Sequence, residues 1–235
     1  MDIIEIAHAY DIKISRTQKQ GLNLFIDIML ETNRRDNLTR IVEKSEINVK
    51  HLLDSLMGLT TRLFSDGKKF VDVGAGAGFP SVPLAICSGV KTTQIEASRK
   101  KTDFLRKVSE ELTPYTQNPV TPIHGRAEEY GVKPEYRELF DIAAARAVTS
   151  LNALCELCLP FVKSGGHFVA YKSGEAEDEL NRASAAIETL GGRIAEIKKY
   201  SLPDGSGRTL VIIEKISDTP EKYPRAYAKL KRTPL

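Results

Sequence analysis

The sequence predicts an α/β fold: a doubly wound, mostly parallel sheet of Rossmann-like type with an N-terminal helical extension. Three observations predict it. From Phe70 onward, short apolar runs alternate with amphipathic stretches, as strand and helix do in turn. A glycine-rich turn, "GAGAG" from Gly74 to Gly78, follows the first of these runs. Ahead of it, apolar residues recur at helical spacing only. With 235 residues, 41% of them hydrophobic, the chain can bury one good core. The expected organisation is a helical extension over 1–65, a core over 66–216 and a basic tail over 217–235.

The extension opens with "GLNLFIDIML", which places Leu22, Phe25, Ile26 and Met29 on one stripe. A turn at Asn37 to Thr39 leads to a second helix, with Ser45 as its expected N-cap. "FVDV" is the first strand, and a helix follows from about Ser81 to Cys87. "TTQIEA" precedes "SRKKTDFLRKVSEEL", whose Phe104, Leu105, Val108 and Leu112 share a face. "VTPIHG" is followed by "AEEY", "FDIAAARAV" by "SLNALCELCLPFV", and "GHFVAYK" by "EAEDELNRASAAIETL". The last two strands, "GGRIAEIKKYSL" and "RTLVIIEKI", come without a helix between them and predict a hairpin-like pair.

A glycine turn between a strand and a helix can cradle NAD, a nucleotide phosphate or S-adenosylmethionine. The dinucleotide fingerprint G-x-G-x-x-G fits Gly74 and Gly76, but its third glycine falls on Phe79. No G-K-[ST] follows, so a phosphate loop is excluded. The spacing is D-x-G-x-G-x-G, from Asp72 to Gly78, which is typical of S-adenosylmethionine sites. Small residues there let the backbone pass close to the methionine and ribose parts, and Asp72 can organise the loop amides or answer the ammonium group. The same turn also permits close strand–helix packing. Glu96 ends the second strand, 22 residues after Gly74, where a carboxylate can accept both ribose hydroxyls. After the third strand, Glu128 can lie beside an adenine whose edge the Ala127 backbone reads, or can simply be a favourable charge at a helix N-terminus.

The acidic start "MDIIEIAHAY" lacks the pattern of a signal peptide, and no apolar run approaches a membrane span, so a cytoplasmic protein is expected. Three cysteines make no disulfide framework, and Cys155 and Cys158 sit in an apolar helical pattern as core residues. No metal site is expected. The net charge is only +3, but "KYPRAYAKLKRTPL" carries Lys222, Arg225, Lys229, Lys231 and Arg232 without an acid. With Tyr223 and Tyr227 interleaved, that strip suits an RNA backbone with stacking. Removing it after Ile216 is expected to weaken RNA binding and to spare cofactor affinity. "SRKK" and "NRR" add two further basic clusters.

"DVGAGAGFPSVPLAI", "HLLDSL", "GRAEEY", "FDIAAARAVTSL" and "YPRAYAKLKRTPL" together resemble the bacterial small-subunit ribosomal RNA methyltransferase G family, also called glucose-inhibited division protein B. The resemblance runs from about Asn37 to the C-terminus. It implies a class I S-adenosylmethionine-dependent methyltransferase with a seven-stranded sheet. It also implies methyl transfer to N7 of a guanine in 16S rRNA, in the decoding-region hairpin loop of the small subunit. Carried over by motif position, Gly74, Phe79, Ala127, Glu128 and Arg146 line the cofactor site. Departures from the family pattern are Ser81 in place of a glycine, Ala145 in place of a serine, and "YKSG" around a retained Lys172, which is expected among the RNA contacts.

The stretch "AARAV" offers neither an Asn-Pro-Pro-aromatic device nor a cysteine nucleophile, and guanine N7 needs neither. Arg146 can meet a cofactor carboxylate, an RNA phosphate or guanine O6, or can form a structural ion pair. Phe79 can stack a base or pack on cofactor and core. His51 and Asp54 share a helix face, either toward RNA or as a tie to the sheet. The expected partner is 16S rRNA or the small subunit, with no membrane and a monomeric chain. Competing readings are methylation of a ribosomal protein or other substrate, an NAD-dependent oxidoreductase, and a non-catalytic RNA-binding module on the same fold.

Overall fold

The computed structural model describes residues 2–146, 148–174 and 176–235, except for the side chain of Lys231. Among them, seven strands form one sheet: β1 (Lys69–Val73), β2 (Lys91–Glu96), β3 (Val120–His124), β4 (Phe140–Arg146), β5 (Val162–Ser173), β6 (Gly192–Ser201) and β7 (Gly207–Lys215). Their order is β3-β2-β1-β4-β5-β7-β6. The first five pair in parallel, and β7 runs antiparallel to both β5 and β6. The predicted terminal pair is therefore a hairpin, with its second strand inserted beside β5. The order reverses at β1, so the carboxyl ends of β1 and β4 flank the crevice where such sheets bind ligands.

The helices are α1 (Ile3–His8), α2 (Arg16–Asp36), α3 (Lys44–Ile47), α4 (Asp54–Leu56), α5 (Ser81–Ser88), α6 (Arg99–Glu111), α7 (Ala127–Tyr130), α8 (Leu151–Cys158), α9 (Glu177–Thr189) and α10 (Tyr227–Arg232). One core lies under the extension, where Leu22, Phe25, Ile26 and Met29 of α2 meet α5 and the N-terminal helices. The other lies across the sheet, beneath α8 and α9, and takes in Cys155 and Cys158. Ser15 caps α2 in a reciprocal box with Gln18, and Asn37 ends it with φ at +50°.

The second helix of the extension differs from its expectation. It begins at Lys44 with Glu43 at the cap, so Ser45 lies inside it. Between α3 and α4 the backbone widens into a π-helical turn, Asn48–Leu53. This turn carries His51, and such turns concentrate at functional sites.

Candidate active site

The glycine turn is built by conformation and by one carboxylate. Gly74 and Gly78 have φ of +76° and +89°, where an L side chain is strained. A Cβ on Gly74 would also stand 2.8 Å from Val148. Glu96, at the end of β2, ties the turn down. Its Oε2 accepts from the Gly76 N–H at 2.9 Å and its Oε1 from the Ser98 N–H at 2.7 Å. Each carboxylate oxygen keeps a further lone pair for a ligand hydroxyl.

The turn opens a cavity of about 390 Å³ at the carboxyl ends of the parallel strands, a size ordinary for small-molecule sites. Of the residues singled out in the sequence, His51, Gly74, Gly76, Phe79, Glu96, Ala127, Glu128 and Arg146 line it. Gly78 does not; it shapes the turn from behind, against Val82 and Phe25. Asp72 lies beneath the turn rather than in the cavity. It is fully buried, and its Oδ2 accepts from the Ser81 N–H at 3.3 Å, at the first residue of α5. Gln94 Nε2 donates to Ser81 Oγ at 2.8 Å. Asp72 thus organises a backbone amide, one of its two expected roles, and Ser81 is a node of this buried network. Burial pushes the Asp72 carboxyl up to about 7.

The wall on the β4 side is a second constellation. The Arg146 guanidinium donates to Asp54 Oδ2 at 3.0 Å and to the Lys50 carbonyl at 3.4 Å. It also lies 3.3 Å from His51 Nδ1 and 5.1 Å from the centre of the Phe79 ring. Because Arg146 can only donate, His51 Nδ1 accepts. The imidazole proton is then on Nε2 and points to Thr39 Oγ1, 3.0 Å away. Burial, then the Arg146 charge, pushes His51 down to about 4, so the ring is neutral. Thr39 is set by Asn33, whose side chain donates to the Thr39 carbonyl at 3.0 Å and accepts from its N–H at 2.8 Å.

Phe79 is 5% exposed. His51 stacks on it with centroids 4.7 Å apart, and Phe25 lies at 5.0 Å. Of its two expected roles, the structure displays packing. His51 and Asp54 share a partner in Arg146, so the helix end they occupy ties the extension to the sheet.

The basic residues divide. Lys222, Lys229 and Arg232 are exposed, and the Lys231 side chain lies outside the described residues. Lys172 is committed inward: its Nζ donates to the Thr149 carbonyl at 3.2 Å and to Glu179 at 2.6 Å. Arg225 likewise departs from the expected RNA strip. Its backbone N–H, Nε and NH2 donate to the buried carboxylate of Glu156 at 2.8, 2.7 and 2.5 Å. Thr39, Lys101, Arg126 and Tyr227 also line the cavity. Sequence reasoning missed them as site residues. Tyr227, an aromatic in the basic tail, and Lys101, the end of the "SRKK" cluster, carried a signal, and it was read toward RNA. Among the described residues no cluster of three or more His, Cys, Asp or Glu could hold a metal ion, and no helix is long and apolar enough to cross a membrane.

Residues 18–207 match the family described as rRNA small subunit methyltransferase G. A protein of Lactobacillus acidophilus named Ribosomal RNA small subunit methyltransferase G is 41% identical, over 99% of this chain and 97% of its own. The protein of the same name from Brevibacillus brevis is 42% identical, over 98% and 97%. Among solved structures, an O-methyltransferase from Bacillus cereus in complex with SAH superposes with a TM-score of 0.57. It covers 81% of this chain and 90% of its own at 17% identity, a likeness of fold alone.

Proposed function

Because this chain belongs to the rRNA small subunit methyltransferase G family, we propose that the cavity binds S-adenosylmethionine and serves methylation of N7 of a guanine in 16S rRNA, in the decoding-region hairpin loop of the small subunit. The chain is an S-adenosylmethionine-dependent ribosomal RNA methyltransferase. The residues present fit that cofactor. The backbone of Gly74 and Gly76 lines the cavity without a side chain to fill it, Glu96 keeps lone pairs for a ribose diol, and Ala127 and Glu128 stand at the far wall for the adenosine part. When bound, S-adenosylmethionine supplies a methyl group on a positively charged sulfur.

One observation supports N7 in particular: among the described residues, the wall at Arg146 holds no free base. His51 has its lone pair engaged by Arg146 and is hard to protonate. Asp54 is taken up by Arg146, Tyr200 and Arg208. Guanine N7 has an in-plane lone pair and no proton to remove, so alignment alone suffices. Holding two reactants in line is worth roughly 7–11 kcal/mol. Arg146 keeps a fixed charge beside the cavity, which suits a cofactor carboxylate, an RNA phosphate or O6. A bidentate grip on O6 and N7 together would cover the reacting atom. We infer a monomer acting in the cytoplasm, where the subunit is assembled.

The test uses radiolabelled S-adenosylmethionine with small subunits and with protein-free rRNA from cells lacking the enzyme. Borohydride and aniline then cleave RNA at 7-methylguanosine. One new cut in the decoding-region loop is the expected result. Label in ribosomal protein, or none despite cofactor binding, overturns the substrate.

A further inference from the structure

The C-terminal segment is anchored on both sides of Tyr227. Two residues before it, Arg225 closes on Glu156, which is 0% exposed. Three residues after it, Leu230 is buried in the core beneath α8. Upstream, the Arg137 guanidinium holds the carbonyls of Thr219 and Tyr223 at 2.5 and 2.9 Å. A tail built to follow RNA as a free arm does not require such anchoring. A tail that presents one side chain in a fixed place does.

That side chain is Tyr227. It lines the cavity beside Arg126, whose guanidinium carbon lies 5.1 Å from the centre of its ring. Arg126 caps α7 immediately after β3, and Ala127, Glu128 and Leu157 complete this wall. The sheet order puts β3 three strands from β4, roughly 14 Å at about 4.8 Å per strand. The Tyr227 wall is therefore at the opposite end of the cavity from Arg146. The Arg146 end carries a guanidinium and a neutral imidazole beside the Phe79 ring. The β3 end offers a half-buried aromatic ring, an aliphatic side chain and a guanidinium plane, surfaces that receive a flat heterocycle.

We propose that Tyr227 is a cofactor-binding residue, its ring stacking on the adenine of S-adenosylmethionine, so that the C-terminal segment completes the cofactor site instead of serving only RNA. The proposal rests on reading the cavity as an S-adenosylmethionine site. It replaces the expectation that loss of the tail spares cofactor affinity.

The chain contains no tryptophan, so Tyr227→Trp places a lone fluorophore at the proposed contact. Calorimetry of the unaltered protein with S-adenosylhomocysteine comes first; absence of binding there overturns the cavity reading and the proposal with it. Given binding, titration of Tyr227→Trp with S-adenosylhomocysteine is expected to change the indole emission, saturating at the calorimetric Kd. Unchanged emission at concentrations where calorimetry shows the variant to be loaded overturns the proposal alone. Tyr227→Ala is expected to weaken S-adenosylhomocysteine on the order of tenfold, with Tyr227→Phe close to the unaltered protein. If Tyr227→Ala leaves that affinity intact and weakens only rRNA binding, the tail serves RNA and the proposal fails. Should Tyr227→Ala not fold, the emission of the tryptophan variant decides.

Discussion

Arg146 and Asp54, 92 positions apart in sequence, form an ion pair of 3.0 Å across the boundary between the sheet and the N-terminal extension. Asp54 is 5% exposed, and its other oxygen accepts from Tyr200 at 2.8 Å and faces Arg208 at 3.5 Å. The carboxylate thus gathers three elements: the extension, the end of β4 and the terminal hairpin. The consequences of removing either partner are unequal.

Arg146→Ala leaves Asp54 with Tyr200 and Arg208, so the fold should survive while turnover falls by tenfold or more. Asp54→Ala leaves Arg146 and Arg208 facing each other without an anion. Stranding one side of a buried pair costs about 3–5 kcal/mol, so this variant should melt well below the other. Thermal unfolding by circular dichroism, set beside methyl transfer to small subunits, separates the two. Equal melting temperatures would mean that Asp54 does not organise the site.

Arg225 bears on the tail. Its fork meets both oxygens of Glu156, a geometry that lysine cannot reproduce. Arg225→Ala and Arg225→Lys are both expected to lower stability, the former by about 3–5 kcal/mol, with rRNA affinity moved far less than by reversing the charge of the exposed Lys229. Denaturant unfolding and filter binding measure the two quantities. A loss of rRNA binding at full stability would return Arg225 to the RNA strip.

The alternation of strand and helix was legible because both obey fixed periods, and the glycine turn because its backbone demands glycine. Gly74, Glu96, Ala127 and Arg146 were placed in one cavity by their positions at strand ends. Three features were not legible. Asp72 fills the amide-organising one of its two expected roles, but the spacing does not reveal that its partner is the buried Ser81 N–H at the start of α5. Lys172 and Arg225 look like any other basic residues until Glu179, on the helix that follows β5, and Glu156, 69 positions away, close on them. Tyr227 reaches the cavity because its neighbours are anchored elsewhere, and no local pattern encodes that.

Asp72 should make stability depend on pH. Burial raises its carboxyl from 3.8 to about 7, so between those values the folded chain holds a proton that the unfolded chain has released. Stability therefore falls as pH rises through that window, by up to about 1.4 kcal/mol per pH unit. Asp72→Asn keeps the shape and removes the charge. Relative to the unaltered protein, it should gain stability from pH 4 to pH 7 and change little above. A difference that stays flat with pH would show that Asp72 ionises freely in the folded chain.

His51 has the opposite slope. Its folded value of about 4 lies below the ordinary 6.5. The folded chain therefore excludes a proton that the unfolded chain takes up, and stability is lost as pH falls from 6.5 toward 4. Over that span Asp72 contributes a gain as pH falls and His51 a loss of similar slope, so the two largely cancel in the intact protein. Single variants uncover them. Asp72→Asn should leave a curve that drops on the acid side, and His51→Gln one that rises there, because glutamine can accept from Arg146 and donate to Thr39 without titrating. Denaturant midpoints for the parent, both single variants and the double variant at pH 4, 5, 6 and 7 test this. The double variant should resemble the parent in its pH dependence. If His51→Gln alone has the parent's curve, the imidazole is not held neutral by its burial and the Arg146 charge, and the tautomer assigned to it fails with the rest.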